Sequence, residues 1–164
     1  MTLRKITFLF LALLLPVGIF VFLKIFGRNE FQVPVRHQEG RIEVSPNCQF
    51  EYAAPYRIAD SVVTALKLNR NDSLFVFYFD PSLITAMNRV AVEFDQALIS
   101  IVSFDDVSKR MDPRLVRECV LLMPADSSIA LADHRLRIRG YYNGQERDEI
   151  DRLIVEIKII LKQY

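Results

Sequence analysis

Leu74-Phe75-Val76-Phe77-Tyr78-Phe79 is the stretch that decides the fold class. The run is continuous, aromatic and β-branched, and it reads as a strand buried on both faces. Such a strand belongs at the centre of a parallel or mixed sheet. Asp80-Pro81-Ser82 ends it, and Ser82 is the expected N-cap of a helix in which Leu83, Met87, Val90, Ala91 and Phe94 recur at helical spacing. Leu98 to Phe104 reads as a second buried strand. A strand, a crossover helix and a strand in that order demand parallel pairing with a right-handed connection.

Further along, Asp105 to Glu118 is polar, with Pro113 placed as the first residue of a short helix. Cys119 to Met123 reads as a third strand, and Ile129–Asp133 with Leu136–Tyr142 as a hairpin pair. Glu146 to Tyr164 is an amphipathic helix whose stripe is Ile150, Leu153, Ile154, Ile157, Ile160 and Leu161. Working back from the central strand, Asn69-Arg70-Asn71-Asp72 is a turn cluster, and Tyr56 to Leu66 reads as one or two edge strands. The order β-α-β-(α)-β-β-α predicts an α/β domain. A thioredoxin-like fold, with a mixed central sheet flanked by helices, is one of the topologies that this order permits.

The N-terminal stretch obeys different rules. From Ile6 to Leu23, 18 residues, nothing is charged, and Ile25 and Phe26 continue the run past Lys24. A helix of that length spans about 27–30 Å, the thickness of a bilayer core. Pro16 and Gly18 are tolerated better there than in a soluble helix. A cleaved signal peptide is the competing reading, with Arg4 and Lys5 as its basic end. Against it, the run exceeds the usual length of about 7–15 residues, and Phe22-Leu23-Lys24-Ile25-Phe26 has no small-x-small cleavage pattern. The expected organisation is an anchor at 1–27, a tether at 28–47 carrying Pro34, Gly40 and Pro46, and a folded domain at 48–164. The short tail before the anchor favours a single pass with the C-terminal domain outside.

Composition narrows the function. Without the apolar run, roughly 120–135 residues remain, enough to bury a core without metal or disulfide staples. With 21 basic against 20 acidic residues there is no basic stripe to receive nucleic acid. No phosphate loop, nucleophile elbow, zinc-protease motif or paired-carboxylate motif is present, so neither a small-molecule substrate nor a cofactor is indicated. Cys48 and Cys119 are the only cysteines. They are read either as a disulfide in an oxidising compartment or as a loop thiol and a core thiol. His134 sits in a turn, and His37 sits in the tether with no partner in view. Asp105, Asp106 and Asp112 lack calcium-loop spacing. Arg135, Arg137 and Arg139 alternate along a strand and so share one face. That face is read as an exposed strand surface or as a docking patch for an acidic partner.

A resemblance emerges from the C-terminal half. Ile138-Arg139-Gly140-Tyr141-Tyr142-Asn143-Gly144, the upstream Asp133, and Glu149-Ile150-Asp151-Arg152-Leu153-Ile154 opening a long apolar-striped helix resemble the Sco/SenC family, in the form found in Bacteroidetes-type bacteria. Phe26-Gly27-Arg28-Asn29, Val33-Pro34-Val35 and the aromatic strand Phe75 to Phe79 are similar too. The resemblance implies a membrane-anchored thioredoxin-like domain that takes part in cytochrome c oxidase assembly. In that family copper is held by a Cys-x-x-x-Cys pair after the aromatic strand and by one distant histidine. Here the strand is followed by Asp80-Pro81-Ser82-Leu83-Ile84-Thr85-Ala86-Met87, without cysteine. The histidine position falls near Ala125, with no histidine within eight residues. Asp80, Pro81 and Ser82 therefore stand as a vestigial active-site loop. The expected role is a non-catalytic accessory in respiratory-complex assembly, without copper. A thiol-disulfide oxidoreductase using Cys48 and Cys119, and a structural membrane-tethered interaction domain, are the alternatives.

Overall fold

The computed structural model describes residues 3–26, 32–42, 44–48, 52–94 and 98–162. Parts of the expected tether (28–31 and 43) and the last two residues of the expected C-terminal helix lie outside these. The chain divides into two compact units, Met1–Gln32 and Val33–Tyr164.

The first unit is one helix, α1 (Leu3–Phe26), with Pro16 inside it and Lys24 in its last turn. Leu13, Leu14 and Leu15, successive residues that point about 100° apart, are all exposed. Among the described residues no helix is long and apolar enough to cross a membrane.

The second unit is built on a four-stranded mixed sheet in the order β2-β1-β3-β4. β1 (Leu74–Tyr78) is central and buried at every position. It runs parallel to β2 (Ile99–Ser103) and antiparallel to β3 (Ile129–Asp133), which pairs antiparallel with β4 (Ile138–Tyr142). The alternation of β1 sends its side chains into two cores. Leu74, Val76 and Tyr78 join the core containing Met87 and Val90 of α3 (Ile84–Glu93) and Leu153 and Ile157 of α6 (Arg147–Leu161). Phe75 and Phe77 join the core containing Val63 and Leu66 of α2 (Asp60–Leu66) and Val116 and Val120. The sheet is thus sandwiched between helical layers, which is why β1 reads as an unbroken apolar run. α4 (Phe104–Ser108) starts on a capping box between Ser103 and Asp106.

Four readings are corrected. Tyr56–Leu66 holds no strand, because Val62, Val63 and Leu66 fall on one face of α2 and pack into the core. Cys119–Met123 is not a third strand either. α5 (Pro113–Leu115) continues into a π-helical turn, Val116–Val120, closed by Leu121 N–H donating to Val116 O at 2.8 Å. This segment is apolar because it covers the sheet. The cap of the turn after β1 is Asp80, whose carboxylate accepts from Ser82 N–H, so Ser82 lies inside the turn Pro81–Leu83. Finally, the domain begins at Val33 rather than at residue 48. Val33 is buried, its carbonyl accepts from Arg139 Nη2 at 2.7 Å, and Arg36 N–H donates to Ile138 O at 2.8 Å along the β4 edge.

Candidate functional site

The loop at the C-terminal end of β1 is the first candidate position. Asp80 caps the turn, and Gln145 Nε2, from the loop between β4 and α6, donates to Asp80 Oδ2 at 2.6 Å and to Ser82 Oγ at 3.0 Å. The hydrogen bonds from Ser82 hold the Asp80 carboxyl below the usual carboxylate range. Pro81 and Ser82 are exposed. Beside them lies a cleft of about 330 Å³ with Phe79 and Phe104 in its lining and Arg114, Arg117, Asp126 and Asn143 at its sides. Every donor group here is a carboxylate, amide, hydroxyl or guanidinium. A soft cuprous ion wants thiolate, thioether or imidazole, so these residues do not fit copper. Among the described residues no three His, Cys, Asp or Glu side chains gather as a metal would require.

The two cysteines meet elsewhere. Cys48 and Cys119 form a disulfide, with Cα atoms 5.4 Å apart across a separation of 71 residues. Cys119 is 4% exposed, while Cys48 is half-buried. The carbonyls around Cys119, left without helical partners where the π turn ends, are taken by tyrosines. Tyr52 Oη donates to Cys119 O at 2.7 Å, Tyr56 Oη to Val120 O at 2.6 Å and Tyr141 Oη to Leu121 O at 2.7 Å. Burial pushes the hydroxyls of Tyr56 and Tyr141 to lose protons far above the ordinary tyrosine range. The next residue, Leu122, has φ +51°, a left-handed conformation that a bulky side chain rarely adopts. Arg117 holds the exit, its Nη2 within 3.2 Å of the carbonyls of Pro124, Ala125 and Ser127.

His37 belongs to this cluster, contrary to the expectation of a tether residue without a partner. Its Nε2 lies 3.0 Å from Tyr141 Oη. The single hydroxyl proton of Tyr141 is already given to Leu121 O, so His37 Nε2 must carry the hydrogen and donate. Burial, and then the neighbouring Arg36 charge, lower the His37 pKa. A second cleft of about 520 Å³ is lined by His37 and Tyr141, by Val44 and Ser45, and by Leu122, Met123 and Pro124. Sequence reading missed this cluster. Its members are separated by 20 to 104 positions, and no local periodicity joins them.

The arginine patch is corrected. Asp133 is fully buried, and Arg137 turns onto it, with Nε at 2.9 Å and Nη2 at 2.7 Å from Oδ2. Arg139, with 5% of its side chain exposed, approaches the same oxygen with Nη1 at 3.4 Å. Oδ1 accepts the backbone N–H groups of Arg135 and Arg137, both at 3.0 Å. The buried carboxylate pulls two of the three cations off the surface, so only Arg135 is exposed. His134 lies in the exposed turn between the strands.

Compared with known proteins, the chain matches no family model, no curated protein and no solved structure.

Proposed function

We propose that this chain is a membrane-anchored, thioredoxin-like protein that works by binding a partner at the membrane rather than by catalysis or copper transfer. One observation carries the reading. The loop after the central strand is fully built, capped by Asp80 and tied by Gln145, yet it offers only hard oxygen and nitrogen donors, while both sulfurs are bonded to each other elsewhere. The thioredoxin-like assignment draws support from the strand order, with β3 antiparallel to the other three strands, and from helices on both faces. The anchor draws support from the uncharged sequence Ile6–Leu23. A disulfide is at home in an oxidising compartment, which supports a periplasmic domain on a bacterial inner membrane. The Sco/SenC resemblance directs the search for a partner to respiratory-complex assembly, cytochrome c oxidase first.

Thiol-oxidoreductase chemistry is the weaker alternative. Cys119 is buried, and the cysteines come from a loop and a π turn rather than from a closely spaced pair with an accessible thiolate. The test is to capture the full-length anchored protein from mildly solubilised membranes and score the captured material for oxidase subunits, alongside a copper(I) titration of the purified chain. Oxidase subunits retained without copper support the reading. Submicromolar copper binding at one site, or no oxidase subunit above a capture control, refutes it.

A further inference from the structure

The disulfide does more than join two distant segments. Val44–Cys48 contains one internal hydrogen bond, Cys48 N–H to Ser45 O at 2.9 Å. Among the described residues no hydrogen bond or ion pair ties Val44–Cys48 to anything outside itself, so its one described bond to the rest of the domain is the sulfur bridge to Cys119. The chain on either side is held independently. Arg36 N–H donates to Ile138 O at 2.8 Å, Tyr56 N–H to His37 O at 2.9 Å and Ile58 N–H to Leu136 O at 2.8 Å. Val44 and Ser45 line the 520 Å³ cleft together with Leu122, Met123 and Pro124.

We propose that Cys48–Cys119 is a reducible latch that holds Val44–Cys48 across this cleft, and that a dithiol reductant opens it. Exposure sets the direction of attack, because Cys48 is half-buried and Cys119 is 4% exposed. A thiolate of the reductant attacks Cys48 Sγ and breaks the bond to Cys119 Sγ, which leaves as a thiolate and takes up a proton. The second thiol of the reductant then attacks the mixed disulfide and releases Cys48. Two electrons pass to this chain, which ends with two thiols, and the reductant ends as a disulfide. Val44–Cys48 then has no described fastening, and the cleft opens on the side of Arg117 and Leu122–Pro124. The cystine is here the target of a redox partner rather than a catalyst, and the inference stands independently of which protein the domain binds.

The test uses the full chain in detergent micelles at 25 °C, with and without dithiothreitol. Trypsin cleavage after Arg41 should accelerate about tenfold or more on reduction, while β1 to α6 stay uncut. A Cys48→Ser, Cys119→Val variant should show the fast cleavage without reductant. In a second measurement, brief exposure to glutathione followed by alkylation should leave glutathione on Cys48 and the alkyl group on Cys119. Unchanged cleavage after Arg41 overturns the latch. So do cuts appearing throughout the sheet, which would make the bond a global staple. Glutathione found mainly on Cys119 overturns the direction of attack.

Discussion

Replacing Asp133 by Asn tests whether the arginines of the β3–β4 hairpin serve the interior or the surface. The substitution keeps an oxygen for the N–H groups of Arg135 and Arg137 but removes the charge that faces two guanidiniums. The two arginines do not suffer equally. Arg137 has 21% of its side chain exposed and can turn to water, whereas Arg139 has 5% and, among the described residues, retains only the Val33 carbonyl at 2.7 Å. The Arg139 Nε already has no partner among the described residues. An uncompensated buried cation of this kind costs about 3–5 kcal/mol. Against a total stability of about 5–15 kcal/mol, and with a urea slope near 1.5 kcal/mol per molar, the unfolding midpoint should fall by about 2–3 M. Adding Arg139→Met to Asp133→Asn should restore part of the loss, with a coupling of about 1–3 kcal/mol between the two sites. The assay is urea unfolding of both single variants and the double variant, followed by circular dichroism at one protein concentration. A loss below about 1 kcal/mol for Asp133→Asn, or strictly additive effects, would refute the buried-network account and return the arginines to the surface.

Acidification should destabilise the domain through His37, whose folded-state pKa lies below the ordinary 6.5. The unfolded chain then binds the proton more readily, so stability present above 6.5 is lost as pH falls towards the folded value. A His37→Gln variant, compared at pH 7.5 and pH 5, should lose that component. Gly144→Ala places a methyl group against Leu83 and 3.0 Å from Ile129 Cδ1; overpacking of about 1–3 kcal/mol should appear as a lower melting temperature. Leu14→Arg puts a charge in the middle of α1. Under the proposed anchoring, insertion should be opposed by about 2.5–3.5 kcal/mol, read as release of the chain from alkaline-washed membranes.

The sheet was legible because its signals are local. The apolar run Leu74–Phe79 that contains β1, the stripe of α6 and the turn between β3 and β4 are each local signals, and the order of elements allows few topologies. Cys119 to Met123 misled because a short apolar run looks the same whether it pairs in a sheet or lies on one. Nothing within that run announces that Tyr52, Tyr56 and Tyr141 take its carbonyls in place of a ladder.

The sequence by itself determined the α/β class, the apolar N-terminal run and the chemistry missing after β1, because each depends on which residues are present or on spacing along the chain. The tertiary structure alone decided that Cys48 meets Cys119, that His37 serves Tyr141 and that two arginines turn inward onto Asp133. The physical reason is that these pairings are made by chain closure over long separations and by the burial of charge. Neither leaves a trace in the pattern of neighbouring residues.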